Sequence, residues 1–490
     1  MRLGELASGV FDPPARIAGL EVAGVTDDSR EVSAGFVFVA IPGEKTDGRL
    51  FARRAEEAGA ILIVGEGPAK GARGIEEGSR PLRTPFVRVA DAREALGRLA
   101  CAFHGRAAER IQVTGVTGTK GKTTTTWILD SILRTTGRKT ALFGTVLNRV
   151  GGAECPSSNT TPGCIYLHRK LADLGAQGGT HAVLEVSSHG ILQRRTAGVR
   201  FACGIFTNVA PEHLDYHKTF ERYVEAKARF FEELDAEAFA VLPREEASSA
   251  RMASATRARI AWYGADTQDG VEYLRMGQEG MSFRWKGHGV RARLWGYHNL
   301  LNSLAAMTAA ECLGIDRKEI ADAMEAARAP PGRLEEVPHA RGFQVFVDYA
   351  HTDGSLETVL KALRNVGRGR LITIFGCGGD RDRTKRPRMG RVAEKWSNHV
   401  VITSDNPRSE DPRRILDDIQ QGLDRPEDAV FEVDRREAIA LGIRMARPND
   451  IVLIAGKGHE TYQEIGGRKV HFDDREVARE FLASSGAARS

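Results

Sequence analysis

The sequence predicts an α/β protein of three domains, and three observations predict it. The chain has 490 residues, more than one hydrophobic core usually serves. Short apolar runs alternate with stretches of helical periodicity along most of its length. Those runs are apolar on both faces, the pattern of parallel strands covered by helices on either side.

The elements follow in order. To about residue 105, strand-like FVFVAI and ILIVGE flank helix-like FARRAEEAGA. A second domain, 106–332, opens with IQVTGV, which runs into a glycine-rich turn and a helix, and continues through HAVLEVS and CGIFTN, each followed by polar residues. Ala-Pro-Pro-Gly at 329–332 marks a linker. The third domain, 333–490, holds QVFVDY, LITIFG, HVVITS and DIVLIAG between helical patterns. In such sheets ligands sit at the carboxyl ends of the strands.

Composition narrows the function. Hydrophobic content of 41% and charged content of 28% describe an ordinary soluble protein. A formal charge of +5 suits anionic small molecules but is too small and dispersed for a nucleic-acid surface. The six cysteines show no CxxC or Cys/His ligand spacing, so reduced thiols are expected. The N-terminus MRLGELASGVFDPP lacks a signal-peptide apolar core, and no run approaches ~18 apolar residues. The expectation is a cytoplasmic protein, not inserted in a membrane and monomeric.

The run from Gly115 to Thr124, GVTGTKGKTT, follows a strand and opens a helix. Glycines there let backbone N–H groups wrap phosphate oxygens at a helix N-terminus. Lys122 would reach the terminal phosphates, and the Thr123 hydroxyl would face Mg²⁺. Val116 occupies the first glycine position of the general phosphate-loop pattern. The loop by itself indicates ATP or GTP and leaves the chemistry open.

Further on, Phe220, Tyr223, Val224, Phe230, Phe231 and Leu234 recur at helical spacing, and Lys227 falls inside that apolar stripe. A lysine there must snorkel, find a partner or change its chemistry. Glu185, directly after a strand, offers hard oxygen ligands suited to Mg²⁺. His213 lies in the polar run NVAPEHLDYH and is softer than Mg²⁺ usually takes.

Together these pieces resemble the Mur ligase family over nearly the whole chain. The resemblance is carried by TGTKGKT, the Glu185 region, His213 after FTN, Lys227 in EAKARFF, GYHNLLNSLAA, Arg333 in PPGRLEEV and DYAHT. It implies an N-terminal UDP-substrate domain, a central ATP-binding domain and a C-terminal amino-acid-binding domain. Gly118, Thr119, Lys120, Gly121, Lys122, Thr123 and Thr124 would bind ATP, with Asn299, Arg333, Asp348 and His351 on its far side. Lys122, Glu185, His213 and Lys227 would be catalytic, and Thr123, Glu185, His213 and a carbamylated Lys227 would serve Mg²⁺.

More specific strings resemble the branch of that family that extends a UDP-muramoyl dipeptide ending in glutamate, during cell-wall precursor synthesis. They are NTTP at 159–162, EVSSHG, FGCGGDRD, KRPRMG, DNPRSEDP and GKGHE. By this resemblance Ser29, Arg30, Asn159, Thr160, Thr161, Ser187, Gln193 and Arg195 contact the UDP-dipeptide. Arg381, Asp405, Asn406, Arg408, Gly456 and Glu460 would surround the added amino acid. Members add meso-diaminopimelate or L-lysine, which differ by one carboxylate. A planar guanidinium matches that carboxylate, so Arg408 in DNPR implies diaminopimelate.

The implied reaction phosphorylates the glutamate side-chain carboxylate with ATP, after which the amine displaces phosphate, and closure of the third domain assembles the site. Four departures from the family pattern stand out: Glu212 for Asp, PREEASSA after the strand AVL, His298 for Phe, and Asp353-Gly354 for Pro-Asp.

Overall fold

The predicted strands FVFVAI and ILIVGE are the two inner members of a sheet that Gly24–Thr26, Phe36–Ala40, Leu62–Glu66 and Phe86–Val89 form in chain order, all parallel. The computed structural model describes residues 1–43, 46–67 and 82–484. By contact density the chain divides into Met1–Tyr263 with Ala305–Ile315, and Gly264–Leu304 with Asp316–Ser490.

The first unit holds the four-stranded sheet and an eight-stranded one. Helix Ala92–Phe103 covers the smaller sheet because Ala92, Ala95, Leu96 and Leu99 recur on one side and are buried. Asp91 starts it, accepting from the N–H groups of Arg93 and Glu94 at 2.9 Å each. Gly97 brings this helix onto the larger domain, since a Cβ there would lie 2.4 Å from that of Ala197.

The larger sheet runs Arg259–Tyr263, Phe239–Pro243, Phe201–Phe206, Gln112–Thr117, His181–Glu185 and Thr140–Phe143, all parallel, then Leu147–Val150 and Ala153–Pro156 antiparallel. Its central strand is the first in sequence. The chain leaves Gln112–Thr117 to build one half and returns through Phe201–Phe206 on its other side. The two loops that part there create the crevice where α/β sheets bind ligands.

One histidine supports this unit through its charge state. His168, on helix Cys164–Ala176, is 1% exposed and its Nε2 lies 2.8 Å from the Ala197 carbonyl oxygen. Burial pushes its pKa down from 6.5 to about 4. Between those values the unfolded chain binds the proton and the folded one does not, so stability falls as the pH drops through that window. The expected loss from this site is about 3 kcal/mol, and His168→Gln should flatten that part of a stability–pH curve from chemical denaturation.

The second unit carries a six-stranded sheet in the order Glu335–Glu336, Gln344–Asp348, Ile451–Ala455, Leu371–Phe375, His399–Thr403 and Val430–Glu432. All neighbours are parallel except the first pair. Ile451–Ala455 and Leu371–Phe375 are buried at every residue, as the continuous apolar runs predict.

Contrary to what the apolar runs suggest, not every sheet is purely parallel. A three-stranded antiparallel sheet, Val271–Gly277, Gly280–Trp285 and His288–Ala292, is added, as is the hairpin Tyr462–Ile465 with Arg468–His471. Two-residue turns make these possible: Lys286 and Gly287 have φ of 46° and 88°, the left-handed pair that a tight hairpin requires. No helix among the described residues is long and apolar enough to cross a membrane.

Candidate active site

The glycine-rich run forms a loop between strand Gln112–Thr117 and helix Lys122–Thr135. Gly118 has φ of 151°, and a Cβ on it would meet the Thr207 hydroxyl at 1.9 Å, so no other residue fits. The neighbouring strand's exit holds the loop. Asn208 accepts from Thr119 N at 2.9 Å through its backbone and from Lys120 N at 3.0 Å through its side chain. Its amide returns a bond to Lys120 O at 3.0 Å, and Thr207 Oγ1 donates there at 2.6 Å. Lys122 folds over the loop, its Nζ donating to the carbonyls of Gly118 at 2.8 Å and Thr119 at 2.9 Å.

Lys227 does not snorkel. On helix Phe220–Glu232 it is 1% exposed, and its Nζ donates to the same Gly118 carbonyl at 2.9 Å. It lies 4.4 Å from the centroid of the Tyr223 ring, whose hydroxyl is 3.1 Å from Thr119 Oγ1. Burial, then the neighbouring Lys122 ammonium, push its pKa well below 10.5. The lysine on the apolar stripe is thus aimed at the phosphate loop.

Glu185 ends the strand beside this loop, in register with Val116. It is 1% exposed, accepting from Thr145 N at 2.8 Å and Thr145 Oγ1 at 3.1 Å. Gly144 leaves the room, since its Cβ would sit 2.3 Å from the carboxylate. Next to it four of the sequence-predicted substrate residues converge. Thr161 Oγ1 bonds Glu185 O at 2.9 Å and lies 3.0 Å from Ser187 Oγ; Arg195 donates to Thr161 O at 2.8 Å and to Gln193 Oε1 at 2.7 and 3.0 Å. Thr160 joins them through Thr145 Oγ1 at 3.1 Å. Asn159 is exposed and bonds Ser157 and Ser158, while Arg30 is exposed and pairs with Asp28 at 2.6 Å next to a buried Ser29. His213 is half exposed on a turn at φ 55°, its ring 5.1 Å from that of His189.

In the second unit the predicted amino-acid residues gather at the carboxyl ends of His399–Thr403 and Ile451–Ala455. Gly456, at φ 118°, passes so close to Asp405 that a Cβ would lie 2.5 Å from its carboxylate. Asn406 Nδ2 donates to Glu460 Oε2 at 2.8 Å. Arg408, at φ 54°, donates to Gly379 O at 2.7 Å and has Glu464 3.6 Å away. Gly378 separates Arg408 from Arg381, whose side chain is exposed.

The residues expected on the nucleotide's far side are mixed. The Arg333 guanidinium stacks on Tyr349 at 4.7 Å, and its buried Nε has no partner among the described residues. Asp348 accepts from Leu334 N at 2.6 Å, and His351 Nδ1 lies 2.8 Å from Tyr349 O. Asn299 is buried and donates to Trp295 O at 2.9 Å.

Four residues of this geometry were given no site role of their own from sequence: Asn208, which opens the polar run NVAPEHLDYH, Tyr223, which lies on the apolar stripe, Lys457 and Arg386. Asn208 and Lys457 stood inside strings already noted, FTN and GKGHE. Arg386, fully buried, joins Glu410 and Asp418 at 2.8 Å and donates to Gly378 O at 3.3 Å, holding the FGCGGDRD and DNPRSEDP loops together. Its signal was one of the two arginines inside KRPRMG, a basic run that reads as solvated.

Comparison with known proteins gives matches along the chain. Residues 21–104 match the family described as Mur ligase family, catalytic domain; 116–310 match the Mur ligase middle domain; 332–458 match the Mur ligase, glutamate ligase domain. A relative from Solibacter usitatus, named UDP-N-acetylmuramoyl-L-alanyl-D-glutamate–2,6-diaminopimelate ligase, is 41% identical over 498 residues, covering 99% of each chain. One of the same name from Aquifex aeolicus is 40% identical over 469 residues, covering 95% of this chain and 94% of its own. A solved structure of a ligase with that name superposes with a TM-score of 0.76 at 32% identity over all of both chains.

Proposed function

Because this chain belongs to the Mur ligase family, we propose that it is an ATP-dependent ligase that joins meso-2,6-diaminopimelate to UDP-N-acetylmuramoyl-L-alanyl-D-glutamate. The relatives that share its full length carry that name. The single observation that carries the choice of amino acid is Arg408, held by Gly379 O and Glu464 beside the Asn406–Glu460 pair. Its guanidinium offers a bidentate site for a carboxylate that lysine lacks. Residues 1–105 then bind the UDP end, 106–332 bind ATP, and 333–490 bind the amino acid. The protein acts as a cytoplasmic monomer in the synthesis of peptidoglycan precursors.

Chemically, the glutamate side-chain carboxylate is a poor electrophile because its leaving group would be oxide. Attack by one of its oxygens on the ATP γ-phosphorus forms an acyl phosphate and releases ADP. The amine of the second substrate attacks the acyl carbon, loses a proton, and phosphate leaves with the C–O bonding pair. Phosphoryl transfer of this kind depends on alignment and charge neutralisation. Lys122 leaves its two carbonyl partners to contact the phosphates, while Thr161, Ser187, Gln193 and Arg195 hold the UDP-dipeptide. Glu460 receives the distal ammonium of diaminopimelate.

The donors at this end of the sheet fit Mg²⁺. Glu185 presents a buried carboxylate whose two oxygens accept from the backbone N–H and the hydroxyl of Thr145 and keep further lone pairs. Thr123, Glu185, His213 and Lys227 as its carbamate would hold the ion. When bound, Mg²⁺ supplies positive charge that screens the γ-phosphate from the substrate carboxylate.

Purified protein with ATP, Mg²⁺ and the UDP-dipeptide should release phosphate with meso-diaminopimelate and form a UDP-tripeptide by mass. Release with L-lysine alone would move the assignment to the lysine-adding branch, and release indifferent to any acceptor would leave a nucleotide hydrolase. Arg408→Ala should lower kcat/KM for diaminopimelate by roughly 10²-fold while changing the rate with lysine little, since a truncated buried charge pair costs ~2–5 kcal/mol.

A further inference from the structure

We propose that Lys457 is a positioning residue of the amino-acid pocket: its buried nitrogen fixes the Asn406 amide and the Glu460 carboxylate in the arrangement that receives the distal ammonium of the incoming amino acid. The inference rests on the reading of the pocket given above and goes beyond it to a residue that reading does not use.

Lys457 follows Gly456 at the end of strand Ile451–Ala455 and is 0% exposed. A fully buried lysine survives only with partners. Its Nζ donates to Tyr462 O and, at 3.3 Å, to Asn406 Oδ1, and lies 3.6 Å from Glu460 Oε2. Asn406 Oδ1 also accepts from Glu464 N at 2.9 Å. Two donors on one side of the amide settle which end is oxygen. The Asn406 Nδ2 must then point the other way, where it donates to Glu460 Oε2 at 2.8 Å. Through this relay one cation orients the carboxylate that meets the substrate.

The charge matters as much as the bonds. Glu460 faces Asp405, Lys457, Arg408 and Tyr349. Lys457 faces Asp405 and Glu460 with Arg435 and Asp474 behind, and the Tyr462 ring at 5.5 Å. Two carboxylates, Asp405 and Glu460, therefore share the pocket. Burial and Asp405 already raise the Glu460 pKa, and the Lys457 ammonium opposes them. Without that cation Glu460 takes up a proton at a higher pH, and a neutral acid no longer pairs with the ammonium.

Kinetics of the Lys457→Met enzyme test this, with Lys457→Gln as a second variant that keeps a donor but no charge. The expected result is a KM for diaminopimelate raised about tenfold, with KM for ATP and for the UDP-dipeptide within about twofold. The acid limb of kcat/KM for diaminopimelate should move about one pH unit upward in both variants, equivalent to that tenfold change. A lysine that only secures the turn through Tyr462 O would lower the melting temperature and leave the limb in place. That outcome, or a common rise in all three KM values, overturns the proposal. Wild-type enzyme that used L-lysine would correct the substrate and not this inference, which then stands or falls by the same profile with lysine.

Discussion

Lys227→Met should lower the rate of amide-bond formation by roughly 10²–10³-fold, the scale on which a lost electrostatic group at a reacting phosphate is felt, with ATP still bound. The reason lies in two lysines that share one acceptor. Lys122 and Lys227 both donate to Gly118 O, at 2.8 and 2.9 Å. Burial penalises the Lys227 ammonium, and repulsion from Lys122 adds to that cost, so its pKa is well below its ordinary value. The lowered pKa leaves more of its amine unprotonated and nucleophilic. On the proposed reading, attack on dissolved CO₂ would form an N–C bond, shift one C=O pair to oxygen and release a proton, leaving a carbamate. The carbamate nitrogen would keep one N–H for Gly118 O, and repulsion from Lys122 would become attraction.

The pH sense follows from that balance. Acid protonates the amine and drives CO₂ off, so activity that depends on the carbamate is lost as the pH falls. Buffer stripped of CO₂ should lower the wild-type rate, and bicarbonate should restore it. Lys227→Glu, with a carboxylate on a shorter arm, should retain more activity than Lys227→Met. Equal rates for wild type and Lys227→Met would remove the lysine from the mechanism.

Much of this was legible in the sequence because the signals were local. A strand, a glycine turn and a Gly-Lys-Thr helix start are contiguous, so Lys122 and its loop are found where the run places them. Lys227 could be marked as anomalous because helical periodicity is also local. What it pointed at could not be, since Gly118 lies 109 positions away and meets it only through the sheet. The antiparallel additions were missed for a different reason. Val271–Gly277 is exposed over most of its length, so it has no apolar run to detect. The clearest marks of this sheet are turn residues such as Lys286-Gly287, between its other two strands. Lys457 and Arg386 were passed over because a lysine or arginine is ordinarily solvated, and only folding reveals carboxylates on every side.

The same blindness hid Arg435 and Asp474, where the largest loss of stability is expected. Both are 0% exposed and form two hydrogen bonds of 2.7 Å. Asp474→Ala should destabilise this unit by ~3–5 kcal/mol in urea denaturation, because it strands a guanidinium out of water. Replacing both partners is a different experiment. Arg435→Met with Asp474→Leu removes the two charges together, and stability should return to within about 1–2 kcal/mol of wild type, as buried pairs exchanged for apolar side chains commonly do. Activity should not return with it. Arg435 also donates to Ser404 O at 3.2 Å and Ala455 O at 3.1 Å, the last carbonyls before Asp405 and Gly456. No apolar side chain replaces those donors. The double variant should therefore fold and still show a raised KM for the amino acid, with KM for ATP unchanged. A double variant with wild-type KM would reduce the buried pair to a matter of stability alone. The expected split gives it a second role, fixing the two strand ends between which the incoming amine is held.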